Sequence, residues 1–221
     1  MSDFSFLVSF FFSILSIEMK SDPIYLLETI KIENRELVNL DYHRDRIRRS
    51  SNSLYGIKVE IDFSQMQEAA NKLGTDKHKL RVVYNNDFLK YTIEPYQLKP
   101  IKSLRLIDGS KISYTHKLLD RIHLKRLYEL KSNADDILIV KDGMLTDTFY
   151  CNVALYSEPH GGWKTPQLPL LKGTKRQQLL NEGLIEEELI YSKDLAQYSQ
   201  IRLFNAMVEF GEVELSVGEI N

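Results

Sequence analysis

The sequence contains one cysteine, Cys151, so no internal disulfide can staple the fold, which fits a reducing cytosol. It has little charge of one sign. The 29 Lys and Arg nearly cancel the 31 Asp and Glu, leaving −2, and the pI is near 6.2. This balance excludes a bulk electrostatic attraction to nucleic acid or to an anionic membrane, so any basic function is local. Internal repeats are missing, and past the N-terminus so are low-complexity runs. Long apolar runs are lacking too: Phe4 to Ile17 is apolar and serine-spaced, but too short to span a bilayer as one helix. Its Met-Ser-Asp start and the absence of a small-residue cleavage site argue against a signal peptide. Residues 1–18 are therefore expected to be a non-native or poorly ordered extension, with Met19-Lys20 as an alternative start.

What is present is a globular composition: 221 residues, 43% hydrophobic and 27% charged, enough for one large domain or two small ones. Ile24 to Ile32 and Leu37 to Leu40 flank a polar Glu33-Asn-Arg-Glu36 and read as a hairpin. Asp41 is the expected N-cap of a helix over Tyr42–Tyr55, which Gly56 closes. On it Tyr42, Arg46 and Arg49 share one face, and His43, Ile47 and Leu54 another. A short helix follows over Asp62–Leu73, then a hairpin of Lys79–Tyr84 and Leu89–Leu98 around Asn85-Asn-Asp87. Past Pro100 the pattern predicts a strand at Ser103–Ile107 and a helix over Lys117–Lys131. Further strands are expected at Asp136–Val140, Met144–Thr146, Cys151–Tyr156, Glu187–Tyr191, Ile201–Phe204 and Val208–Leu215, with one helix from Thr174 and a short one near Lys193. The fold class expected is α+β, with a small α/β domain over 19–98 and a larger β-rich domain over 103–221.

Several stretches carry chemistry. In Thr165 to Leu180, a proline-punctuated approach leads to Gly173-Thr174-Lys175-Arg176 at a helix start, where free N–H groups and the positive helix end suit an anion. An ordinary capped junction explains the same residues. Lys117 falls at a predicted helix start, where dipole and burial would lower its pKa toward a nucleophilic amine, although on spacing alone a surface lysine is the better reading. Asp147 and Asn152 lie five residues apart around a bend between strands, among aromatic neighbours that make an unpaired carboxylate costly. Arg202-Leu-Phe-Asn205-Ala206 ends a strand in a tight polar turn, and an arginine of the Tyr42–Tyr55 helix could fork onto a phosphate.

Taken in order, these motifs resemble those of the class IV aminotransferase family, the fold type IV pyridoxal-phosphate enzymes. They are Glu28-Thr29; His43-x-x-Arg46; Lys117-x-Leu-x-Arg121; Asp136 to Asn152; Thr165-Pro through Gly173-Thr-x-Arg176; and Asn205-Ala206, spanning Leu27 to Phe210. The resemblance implies a two-domain architecture with a barrel-like larger domain and pyridoxal 5'-phosphate in the cleft. It further implies a cytoplasmic homodimer acting on a small-molecule amino substrate, with no nucleic acid, membrane or metal involved. By it, Lys117 would be the Schiff-base lysine, and Arg46, Gly173, Thr174, Asn205 and Ala206 would hold the cofactor phosphate. Asp147 would partner the pyridine nitrogen, one methylene shorter than the glutamate usual in the family; Asn152 would brace that turn. Arg121 would meet the ring hydroxyl or a substrate carboxylate, with Arg81, Tyr84 and Glu28 as further substrate contacts. Lys-x-Leu-Asp-Arg is similar to the pattern of 4-amino-4-deoxychorismate lyases, which release pyruvate to give 4-aminobenzoate in folate biosynthesis. The alternatives are a branched-chain or D-amino-acid transaminase and a catalytically impaired protein that binds the cofactor without turning over.

Overall fold

The computed structural model describes residues 23–158 and 161–221, so the expectation for residues 1–18 lies outside the described residues. Period-two alternation builds a first sheet from β1 (Leu26–Glu33), β2 (Glu36–Leu37), β3 (His78–Tyr84) and β4 (Leu89–Pro95), all antiparallel in the order β2-β1-β3-β4. One face places Leu26, Ile30, Ile32, Leu80, Val82 and Tyr84 beneath α1 (Leu40–Tyr55) and α2 (Ser64–Asn71), against Ile47, Met66 and Ala70. The other turns Leu27, Thr29, Lys79 and Arg81 toward a cleft.

The hairpin turn takes positive φ at both Asn34 (51°) and Arg35 (69°), the backbone that matches strand twist in a two-residue connection. β2 is shorter than expected because Asn39 enters the left-handed region (φ 57°) and starts α1 at once. Asn39, not Asp41, is thus at the N-cap; Asp41 sits in the first turn, where its charge still suits the helix dipole. Gly56 closes α1 at φ 72°, its N–H reaching Asn52 O at 3.0 Å.

The second sheet contains β5 (Leu104–Asp108), β6 (Asp136–Lys141), β7 (Met144–Thr148), β8 (Asn152–Ser157), β9 (Gly162–Pro166) and β10 (Glu186–Glu188), ordered β10-β9-β8-β7-β6-β5. β11 (Tyr198–Phe204) pairs with β8 and with β12 (Val213–Ser216). β7 touches β8 through the single pair Asp147–Asn152, and from there β8 runs alongside β11. The sheet therefore curls into a half-barrel that opens at that pair, around a core including Leu104, Leu138, Val153, Leu155, Ile201 and Leu203. α3 (Ile122–Tyr128) and α4 (Thr174–Asn181) flank it. The strand expected over Val208–Leu215 shrinks to β12, because Asn205 Oδ1 accepts the N–H groups of Met207 (2.7 Å) and Val208 (3.0 Å) and rolls the intervening chain into turns.

The two sheets are stitched together by residues 117–119, which run against the start of β1. Leu27 N–H donates to Lys117 O at 2.8 Å and Leu119 N–H to Tyr25 O at 2.9 Å, with a bridge between Leu26 and Leu118. Among the described residues no helix is long and apolar enough to cross a membrane.

Candidate active site

A cleft of about 580 Å³ lies between the outward face of the first sheet and the open end of the second. Lys117 lines it, half-buried. The lysine is not at a helix start: it lies in irregular chain, and α3 begins at Ile122, whose N–H is taken by Asp120 Oδ1 at 2.9 Å. Its amine is therefore tuned by burial first and then by the Arg46 and Arg121 charges, which together bring its pKa down to about 7.

Arg46 also lines the cleft, although it does not share the outer face of Tyr42 and Arg49. It is turned inward with His43 and Ile47, because Glu28 waits on β1. Arg46 Nε donates to Glu28 Oε1 at 2.8 Å, Nη2 donates to Oε2, and His43 Nδ1 stands 2.6 Å from Oε2. Burial alone would raise the Glu28 pKa, but the Arg46 charge and the bonds from His43 and Arg46 override it and hold the carboxyl at about 2. Burial lowers the pKa of His43, so its neutral ring donates from Nδ1 to the carboxylate. Among the described residues Arg46 Nη1 has no hydrogen bond, leaving that nitrogen for a ligand.

Glu28 and Tyr84 do not meet the cleft, contrary to their expected role as substrate contacts. Both occupy the strand parity that faces the helices, and both are 1% exposed. Glu28 serves the site from behind, through Arg46. Arg81 has the opposite parity and does line the cleft, as do Lys79 and Thr29.

Across the cleft, Gly173 (φ −69°, ψ 151°) is the N-cap residue of α4, and Thr174 is its first helical residue rather than the cap. The Thr174 hydroxyl has no hydrogen-bond partner among the described residues, and the first N–H groups of a helix have none within it. A Cβ on Gly173 would lie 2.0 Å from Asn152 Oδ1, so this position admits no side chain while Asn152 keeps its place. Facing this helix end is the Asn205-Ala206 turn. Both ends of the Asn205 side chain are engaged, Oδ1 as above and Nδ2 with Tyr150 O at 3.2 Å, whereas the Ala206 N–H makes no bond among the described residues.

Asp147 closes the far side, at the point where β7 parts from β8. Its Oδ1 accepts from Asn152 Nδ2 and its Oδ2 from Leu171 N–H, both at 2.8 Å, while Asn152 Nδ2 also donates to Leu171 O at 2.9 Å. Burial outweighs these bonds and pushes the Asp147 pKa up to about 7. A proton-bearing nitrogen brought beside this carboxyl would favour its ionised form.

Arg121 donates from Nη2 to Phe149 O, and its guanidinium lies 4.3 Å from the Phe149 ring centroid, 4.8 Å from Tyr150 and 5.8 Å from Tyr114. Its Nε is buried and has no partner among the described residues. The aromatic enclosure and the cationic wall of Lys79 and Lys99 escaped sequence reasoning. The Phe149-Tyr150 pair beside Asp147 was the visible signal, but no local pattern announces a contact across 28 positions.

An amine that can be free near neutral pH, a buried carboxyl opposite, and donors on Arg46, Thr174 and Ala206 that are unpaired among the described residues have the chemistry that a lysine-centred enzyme with a phosphorylated cofactor requires. Comparison with known proteins gives that class its family. The sequence profile of the class IV amino-transferases matches residues 25–215, and the chain belongs to this family of enzymes, which use pyridoxal 5'-phosphate. An uncharacterized protein of Haemophilus influenzae is 32% identical over 186 residues, covering 82% of this chain and 97% of that one. The crystal structure of a candidate 4-amino-4-deoxychorismate lyase from Haemophilus somnus superposes with a TM-score of 0.77 at 32% identity, covering 83% of this chain and 96% of that one. A hypothetical aminotransferase from Mycobacterium tuberculosis in its pyridoxal-phosphate-bound form shares the fold at 16% identity, with a TM-score of 0.71 over 89% of this chain and 81% of that one. The site fits the cofactor: Arg46, Thr174 and Ala206 offer unused donors for its phosphate, and the raised Asp147 carboxyl suits a ring nitrogen that carries a proton.

Proposed function

We propose that the protein is a 4-amino-4-deoxychorismate lyase. The observation that carries this reading is the charge of the cleft. Among the described residues Arg46, Lys79, Arg81, Lys99, Lys117 and Arg121 line it, against the single acid Asp147; Glu28 pairs with Arg46 and Glu94 with Lys79, at 2.5 Å, which leaves Arg81, Lys99 and Arg121 without an acidic partner there. A cofactor phosphate and one α-carboxylate account for fewer cations than this. A substrate with two carboxylates, one on the ring and one on the enolpyruvyl group, uses the surplus. The likeness to the H. somnus protein supports the same substrate.

When bound, pyridoxal 5'-phosphate supplies an electron-withdrawing ring conjugated to the substrate nitrogen. In the reading proposed, Asp147 keeps the proton on the ring nitrogen, while Arg46, Thr174 and Ala206 hold the phosphate. Lys117 Nζ takes the proton from the carbon bearing the amino group. The bond from ring carbon to enolpyruvyl oxygen then breaks with its electron pair on oxygen, the ring becomes aromatic, and a proton delivered to the enolpyruvyl methylene completes pyruvate. No water or oxidant is consumed.

Incubation with aminodeoxychorismate should release pyruvate, read by coupled reduction to lactate, and Lys117→Ala should abolish it. Transfer of amino groups from branched-chain or D-amino acids to 2-oxoglutarate, with no pyruvate from aminodeoxychorismate, would replace this reading with a transaminase. A protein that binds the cofactor but does neither would be the impaired binder. We also propose a cytoplasmic homodimer. Tyr25, Phe88 and Leu119 line a shallow hollow whose exposed apolar groups a second copy would cover, and monomeric sedimentation would remove that proposal.

A further inference from the structure

The Ala206 N–H belongs to a loop that buries Met207 and Val208 in the core of the second sheet and packs Phe210 against Phe204 and Trp163. Residues 205–212 form a chain of tight turns, with Asn205 N–H to Val208 O at 3.1 Å, Glu212 N–H to Glu209 O at 3.1 Å, and Gly211 at φ 98°. The loop is also moored by charges from β1, from α4 and from the stretch before β3. Glu209 Oε1 accepts from Lys31 Nζ at 2.5 Å and Glu209 Oε2 from Lys175 Nζ at 2.7 Å. Both lysines are almost fully buried, 4% and 5% exposed, and Lys31 has a second partner in Glu33 at 2.7 Å. Glu212 Oε2 accepts the Glu209 N–H at 2.9 Å, while Lys77 Nζ reaches Glu212 Oε1 at 3.0 Å and Met207 O at 3.4 Å.

Of the three elements that Glu209 joins, α4 and the loop itself present phosphate donors, and β1 carries the carboxylate that aims the third donor from α1. Lys175 follows Thr174 in the first turn of α4, Glu209 lies three residues after Ala206, and Lys31 lies three residues after Glu28, the carboxylate that aims Arg46. One carboxylate thus joins the first turn of α4, the Ala206 loop and the strand behind Arg46. We propose that Glu209 is a positioning residue for the cofactor phosphate, a clamp that holds three separate donors at the spacing one phosphate requires. The inference rests on cofactor use by the family and is independent of the substrate named above.

Because Glu209 acts on the phosphate cradle, its removal should be felt by pyridoxal phosphate and not by pyridoxal. In Glu209→Gln, titration of the apo-protein followed by near-visible absorbance should show the pyridoxal phosphate Kd rising roughly tenfold while the pyridoxal Kd stays constant. Inorganic phosphate, expected to compete with the cofactor in the parent chain, should compete less well in the variant. Lys175→Met, which removes the other end of the same tether, should give the same phosphate-selective loss and serves if Glu209→Gln does not fold. Equal weakening of both ligands, or no weakening of either, in a variant that folds would overturn the proposal.

Discussion

Asp147 and Lys117 reach similar pKa values from opposite directions, and stability should record both. The Lys117 pKa lies at about 7 in the folded chain against an ordinary 10.5, so between those limits the unfolded chain binds more protons and apo-protein stability gains from this residue as pH rises. Asp147, raised from 3.8 to about 7, makes a contribution present below 3.8 that is lost as pH rises through about 7. Lys117→Met should flatten the alkaline gain in urea unfolding of the apo-protein, and an unchanged profile from pH 7 to 10 would refute the assignment. At Gly173 any Cβ collides with the Asn152 amide. Gly173→Ala should cost about 1–3 kcal/mol from disrupting that packing and the Asp147 bonds behind it. It should also weaken cofactor retention, measured by dialysis against buffer. At this scale the sequence pointed to Lys117, Arg46, Asp147 and Thr174, which the fold brings to one cleft, and alternation could have corrected two other expectations. Glu28 and Tyr84 share the parity of Ile30 and Leu80, which marks them as inward, whereas Arg81 is on the other face. The Arg121 enclosure had no such signature, since its aromatic partners come from distant loops.

Between α1 and β1, the Glu28–Arg46–His43 group is a buried ion pair with a neutral imidazole as third member. Glu28→Gln leaves the Arg46 charge uncompensated and should destabilise the chain by about 3–5 kcal/mol, measured by chemical unfolding. The parent chain should lose the Glu28 contribution only as pH falls from 4.5 toward about 2, because its folded pKa is depressed. The strands and helices of the first sheet were legible because alternation, turn residues and Gly56 all agreed. The stretch before α3 was not. Leu118 keeps helical spacing with Ile122 and Leu124 of α3, yet residues 117–119 pair with the start of β1 instead, so tertiary hydrogen bonds overrode a local pattern. The loop after β11 misled for a similar reason: Val208 and Val213 look strand-like, yet the Asn205 side chain closes a turn onto Val208 and a second turn at Glu209–Glu212 separates it from Val213.

For the molecule as a whole, the connection between β4 and β5 carries the Pro-Lys-rich stretch that divided the sequence, with one sheet on either side. What no local pattern could place was the seam between the sheets, since Lys31–Glu209, Lys77–Glu212 and Asn39–Gln178 join residues more than 130 positions apart. Because the cleft draws on both sheets, cofactor binding should stabilise them together. At a hundredfold excess over Kd the gain should be about 2.7 kcal/mol, seen as one cooperative thermal transition moved upward; two transitions, only one of them moved, would contradict it. The short stitch at residues 117–119 has one more consequence. The reactive lysine is encoded after the division of the chain, but its backbone carbonyl is held by Leu27, encoded before it. If the chain were cut between β4 and β5, neither fragment could present the amine in register. The near-visible absorbance of bound pyridoxal phosphate would return only when both pieces found each other, which makes the enzyme a coloured split reporter of association.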